Sequence, residues 1–433
     1  MSTTLLAAQQ ELSKQLGDSW QGTTTSAGSA TALVDTALKA KANDWVETGD
    51  AYDLVTSVTC QYEERQIASL DNTSGTLVVL AHTGTGPGNA ATYEVHRLFS
   101  ASDKRKALIY AARHSFPNLF KEIWNEELVS GNWLKDGSFE RWTTSTNLTD
   151  WTETTVTVTQ TTTLPYYKHG ATSAKLDTAA GTLSQAITNF GDLQFLRGRN
   201  ATFTCQGRCN TASCLRLSIN DGATQTYSGY HTGDSAWTED NPRNDNFYVT
   251  QYIAPNATQV TFTIHHEVAA GTSYVDDARG ISDYRGKLYL GHLGLARNRP
   301  HSVYMEPSYY SEEAEWVRVS GYEIDNAGYI YMPAIYPNDY RLRVRGIGYL
   351  DFLVSGVSST AWTATIDLDS PQLDILVADA ALYLYGQMFV PNFDTGTNEK
   401  FANAYAYWQM HLQEAVSKHG MKAPPAKIHY GVS

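Results

Sequence analysis

From residue 133 to about residue 281 the chain carries almost no helical period, and this absence constrains the fold more than any motif does. Runs such as WTETTVTVTQTTT, NATFTCQ, CLRLSIN, QVTFTIHHEV and TSYVDDARG alternate β-branched or aromatic residues with polar ones. That period of two places successive side chains on opposite faces of a strand. Gly, Asn and Pro separate the runs at the spacing of a two-sheet sandwich, and about 150 residues suffice for one such domain. The expectation is an all-β jelly roll or β-sandwich over residues 133–283.

The text on either side is of another kind. Residues 100–131 read as two consecutive helices. Ser100 and Asp103 have capping-box spacing, and Leu108, Ala111 and Ala112 share one face. Pro117 stops that helix and opens a second, in which Leu119, Phe120, Ile123, Trp124 and Leu128 form an apolar stripe closed by Gly131. Upstream, residues 3–16 form a short amphipathic helix and residues 31–41 a helical turn. Strands are expected over 52–58, 64–70, 76–81 and 93–98, with turns at 72–75 and 84–88. Downstream, strands at 316–322 and 329–332 flank a hairpin turn at 325–328, and strands follow at 340–345 and 349–354. Two helices then carry Leu373, Leu376, Ala380 and Leu384, and Phe401, Tyr405, Trp408 and Leu412.

Both outer thirds thus expose apolar stripes that need partners, and packing them together satisfies both. The expected class is α+β: a discontinuous helical bundle with a small antiparallel sheet, residues 1–132 and 284–420, interrupted by the jelly roll. Residues 421–433 are an extended tail.

Composition narrows the functional classes. Charged residues are 18% of the chain and the formal net charge is −13, which argues against a basic grip on nucleic acid. The first twenty residues hold no basic leader and no long apolar run, so synthesis in the cytoplasm is expected. Four cysteines, Cys60, Cys205, Cys209 and Cys214, are too few for a disulfide framework. Three fall within ten residues without a CxxC pair, which favours isolated thiols over a metal site.

No nucleophile elbow, phosphate-cradling loop or zinc-binding HExxH occurs, so neither an enzyme nor a cofactor is expected. His265, His266 and Glu267 are consecutive on a strand and cannot all face one ion. Asp276 and Asp277 are hard-oxygen calcium candidates. Trp151, Tyr227, Tyr230 and Trp237 are candidate sugar platforms or, alternatively, core filling. Arg341, Arg343 and Arg345 make one strand face basic, either a solvated edge or a surface for an acidic partner.

Two resemblances follow. DGSFERW, HGATSAKL, LSQAI, YSGYHTGDSAW and SYVDDA, in that order, resemble the carbohydrate-binding-module-like jelly rolls, a resemblance that implies a structural role for Asp276 and Asp277 more often than a calcium site. The outer thirds resemble the head-to-tail adaptor (connector) proteins of tailed bacteriophages. They do so through LLAAQQELSKQLGD, YEERQIASLDNTSGTLVV, DKRKALIYAARHSFPNLFKEI, IDLDSPQLDILVADAALYLYGQMF and FANAYAYWQMHLQEAVSKHG. The adaptor resemblance implies a structural protein of the virion neck, assembled in the host cytoplasm. Its partners would be its own copies in a dodecameric ring, the portal protein, and a tail or nozzle protein. DNA would pass through without specific binding, and no membrane is implied. The tail, with Lys427 and Tyr430, would reach a neighbouring ring. The alternative is a carbohydrate-binding receptor-recognition or decoration protein of the virion, in which the jelly roll does the work.

Overall fold

The computed structural model describes residues 2–46, 51–57, 60–238, 247–283, 287–307, 315–354, 356–389 and 398–422. The chain is mostly β-structure, with five α-helices among the described residues. It divides into two compact units. One comprises Met1–Lys121 and Tyr349–Ala423, and the other spans Glu122–Gly348. The changeovers fall near residues 121 and 348, so the mixed β segments on either side of the sandwich belong to its unit.

In the first unit, helices Leu5–Leu16, Ala101–His114, Leu373–Phe389 and Asn398–His419 pack on one another. Thr4 caps the first, accepting from the Ala7 amide at 3.1 Å, and Gly17 ends it at φ +67°, a left-handed conformation natural to glycine. Ser100 caps the second through the Asp103 amide, as its spacing implies. Leu12, Leu108, Ala111, Leu376, Ala380, Leu384 and Trp408 share one core. A six-stranded antiparallel sheet adds a second core around Leu33, Ile67, Leu77 and Val95. The turn expected at 31–41 resolves into strand Ala32–Val34 and a 3₁₀ turn, Thr36–Ala40.

One expected helix is a strand. Residues Lys121–Val129 are extended and join a four-stranded sheet beside Arg341–Gly348. Ile123 and Leu128 pack against the core of Leu288, Val303, Leu342 and Val344, whereas Trp124 is exposed. The segment is short enough to satisfy either period, and pairing with a neighbouring strand overrides local preference. Gly131 is left-handed, at φ +74°, but it follows a strand rather than a helix.

The sandwich consists of two five-stranded antiparallel sheets. The first runs Thr152–Thr154, Gly181–Ile187, Val260–His266, Leu215–Asn220, Gln225–Tyr227. The second runs Thr157–Thr161, Ser173–Asp177, Ser273–Ser282, Asn200–Cys209, Tyr248–Tyr252. Leu183, Leu217, Ile219, Phe262 and Ile264 from the first meet Val158, Leu176, Phe203, Val249 and Val275 from the second. The run WTETTVTVTQTTT breaks at Thr155, a left-handed residue at φ +68°, and the two halves enter different sheets. A helix the periodicity did not announce, Phe190–Leu196, is capped by Asn189 and buries Leu193 and Leu196.

In DGSFERW, the Asp136 carboxylate accepts the amides of Glu140 at 2.9 Å and Arg141 at 3.1 Å. A Cβ on Gly137 would lie 2.1 Å from the Ala278 carbonyl, so the close approach of the closing strand requires glycine there.

Candidate functional site

The register of the first sheet determines what its outward face offers. Residues directly opposite in an antiparallel pair share a face. One row therefore reads Thr154, Thr182, His265, Arg216, and the next Thr152, Ser184, Thr263, Ser218, Tyr227. A third contains Ala186, Thr261, Asn220 and Gln225. Between these rows Leu183, Ile264, Leu217, Phe262 and Ile219 face the core, while Gln185 bonds the Lys135 backbone. The result is a sheet face mostly of hydroxyls and amides, with one imidazole and one cation, in which Ser218 and Thr263 are buried beneath their neighbours and aromatic rings stand at one edge.

At that edge the side chains interlock. The Arg216 guanidinium lies 4.0 Å from the centre of the Tyr227 ring and 4.9 Å from that of Tyr230. Its Nε donates to Glu267 at 2.7 Å, and the Tyr230 hydroxyl donates to the other oxygen of Glu267 at 2.6 Å. That hydrogen bond pushes the Tyr230 phenol above its ordinary pKa. His265 is held below its usual value by burial, and its Nε2 is 2.7 Å from Ser218 Oγ, to which Gln225 Nε2 also donates at 3.0 Å. Tyr227 and Tyr230 remain 42% and 43% exposed. Rings held by a cation on one side, with donors and acceptors beside them, form a preorganised surface rather than a pair of loose side chains.

Of the four aromatic candidates, the structure brings together Tyr227 and Tyr230 only. Trp151 is 6% exposed, stacks on Phe139 with ring centres 5.0 Å apart, and donates to the Asp136 carbonyl at 3.0 Å, so it is a core residue and not a platform. Trp237 lies by the other sheet, its indole donating to the Pro165 carbonyl at 2.9 Å. Nearby, a groove of about 330 Å³ is lined by Tyr166, Tyr274, Arg208, Lys175, Asn210 and Thr272, among others. Its tyrosines stack at 4.6 Å, and Arg208 also bonds the Pro165 carbonyl. Sequence reasoning missed this second groove, because Tyr166 sits in a loop with no alternating pattern around it.

The calcium candidates are otherwise engaged. Asp276 is buried and accepts the amides of Lys168 and His169 at 2.8 and 2.9 Å. Asp277 is paired with the buried Arg279, which also bonds Asp339 at 3.0 Å. Both oxygens of Asp277 are taken by the two-pronged Arg279 guanidinium and both oxygens of Asp276 by backbone amides, so the pair is structural. His265 and His266 point to opposite faces, His266 turning inward to Ser273 Oγ at 3.0 Å. Cys205, Cys209 and Cys214 are buried, and the last two face different histidines, His231 and His266.

The basic strand is covered rather than free. Arg341 pairs with Glu306, Arg343 with Glu126 at 2.6 Å, and Arg345 lies 3.5 Å from the centre of the Trp124 ring. Lys427 and Tyr430 lie outside the described residues.

No protein-family model matches the chain, and no curated protein matches it. Among solved structures it is similar to TmCBM61 in complex with beta-1,4-galactotriose, at 16% identity over 36% of this chain and 99% of that one, TM-score 0.26. It is also similar to the CBM22-1 xylan-binding domain from Paenibacillus barcinonensis Xyn10C, at 14% identity over 37% of this chain and 97% of that one, TM-score 0.25. A third is the enzymatically active domain of Bacteriophage CBA120 tailspike protein 4, at 17% identity over 35% of this chain and 21% of that one, TM-score 0.27. The structural neighbours thus include carbohydrate-binding modules and one phage tailspike.

Proposed function

We propose that the chain is a carbohydrate-binding structural protein of a virion, and that glycan lies across the outward face of the first sheet against Tyr227 and Tyr230. The observation that carries this reading is the edge cluster itself: two half-exposed tyrosines locked by Arg216 and Glu267 beside three rows of hydroxyl and amide groups. A sugar ring has an apolar C–H face and a hydroxyl edge, so it needs a flat ring to stack on and fixed polar groups at the side. Tyr227 supplies the first; Gln225, Arg216, Glu267 and the threonines supply the second. The test is a glycan array probed with the full chain, followed by the same array with Tyr227→Ala. Retained glycans that the variant releases support the proposal, and an array that stays blank for the parent chain counts against it.

A second reading concerns the first unit: a ring-forming head-to-tail element that contacts portal and tail proteins. What favours it is the discontinuous unit, Met1–Lys121 with Tyr349–Ala423, together with Tyr407 and Met410, which are strongly exposed on helix Asn398–His419. Large exposed apolar side chains on one helix suit a contact between copies. Native mass measurement of the full chain decides this, a ring supporting the reading and a lone monomer opposing it.

A further inference from the structure

A cluster in the first unit has no part in glycan binding. Cys60 and Glu63 lie on the turn between strands Tyr52–Val55 and Glu64–Asp71, and His82 follows strand Thr76–Val79. One potential ligand atom from each, thiol, carboxylate and imidazole, lies within 4.8 Å of the other two. The Cys60 thiol donates to the Thr83 carbonyl at 3.2 Å. His82 Nδ1 is 3.3 Å from Glu63 Oε2, which also accepts the Thr83 amide at 3.0 Å and Arg65 at 3.0 Å.

The other ring nitrogen is held as well. His82 Nε2 is 2.9 Å from Oδ2 of Asp53, a buried carboxylate whose Oδ1 has no hydrogen-bond partner among the described residues. The imidazole is thus fixed between two carboxylates, with Nδ1 on the Glu63 side and Nε2 on the buried Asp53 side. A carboxylate on the far nitrogen of a histidine is the usual outer support of a metal-ligating imidazole.

We propose that Cys60, Glu63 and His82 form a three-ligand site for a divalent transition-metal ion, with Asp53 as the positioning residue for His82. Thiolate, imidazole and carboxylate together suit zinc, whose bonds of about 2.0–2.3 Å put neighbouring donors about 3.3–3.7 Å apart; His82 Nδ1 and Glu63 Oε2 already stand at 3.3 Å, and the other pairs lie within 4.8 Å. Three protein ligands leave one position for water or for a fourth donor.

Cobalt(II) is the probe, because a cobalt–thiolate bond gives a near-ultraviolet charge-transfer band and a tetrahedral site gives strong visible bands. The purified full chain is titrated with Co²⁺ and then with Zn²⁺. One Co²⁺ per chain, a thiolate band and its displacement by Zn²⁺ are expected. Cys60→Ser should abolish the band and weaken Zn²⁺ binding at least about tenfold; Asp53→Asn should keep the band and weaken binding about 10–100-fold. Cys60 is half-buried on its turn and serine nearly matches it in size, so its variant should keep the parent's metal-free unfolding midpoint. A parent chain without the band overturns the proposal, as does a band that survives Cys60→Ser, which would place the ion on another thiol. An unfolded Asp53→Asn leaves the Cys60→Ser result decisive.

Discussion

Trp151 and Tyr227 flank opposite edges of one five-stranded sheet and meet opposite fates. Trp151 turns into the space between the sheets, where Phe139 stacks on it and the Asp136 carbonyl takes its indole hydrogen. Tyr227 turns outward and is held by Arg216 without being covered. The difference shows that an aromatic residue in a sandwich is assigned its role by the parity of its position in the register, since one step along a strand exchanges core for surface. On the proposed reading, inner aromatics stabilise the fold and leave binding alone, and outer ones do the reverse.

The largest effect that sharpens this contrast is loss of stability on the inner side. Trp151→Ala should cost about 3–5 kcal/mol, read from denaturant unfolding. A loss below about 1 kcal/mol would break the contrast, since it would mean the indole is not core.

A pH dependence follows from the same corner. Burial pushes the Asp136 carboxyl up to about 7 against the opposing pull of the Glu140 and Arg141 amides. Burial, with Glu140 nearby, likewise pushes Glu127 up to about 7. In the unfolded chain both titrate near 4. At these two positions the folded state therefore holds protons that the unfolded state has released, and their contribution to stability is full below about pH 4 and is lost as pH rises to about 7. The unfolding midpoint of Asp136→Asn should accordingly gain on the parent's as pH rises from 4 to 7. A difference between the two that stays constant across that range would contradict the assignment.

On the outer side the effects are smaller in stability and larger in binding. Ser218→Ala removes a buried hydroxyl that joins His265 and Gln225 and should cost about 1 kcal/mol. Tyr227→Ala should change stability by less than about 0.5 kcal/mol. If its ring stacks on a sugar, a loss of about 1.4 kcal/mol appears as about tenfold weaker glycan binding in calorimetry.

The two-sheet region was legible because each of its strands is patterned on its own. QVTFTIHHEV alternates cleanly, and DGSFERW carries Gly137, whose closeness to the Ala278 carbonyl admits no side chain. Residues 119–129 were not legible, because Leu119, Ile123 and Leu128 fit a helical stripe while Ile123 and Val129 also fit a strand. The deciding partner, Arg341–Gly348, lies more than 200 residues away. For the candidate face, Tyr227 and Tyr230 were readable as aromatics, but Arg216 and Glu267 were not readable as their clamp. That contact depends on the register between strands Leu215–Asn220 and Val260–His266, which no local pattern encodes. Trp151 was ambiguous for the reason drawn above: its identity permits both roles.

The most direct test is a calorimetric titration of glycan, taken from a positive array, into the full chain and into Tyr227→Ala/Tyr230→Ala. The account predicts saturable binding to the parent, at least about tenfold loss in the double variant, and matching unfolding midpoints. Equal affinities for the two proteins would contradict it.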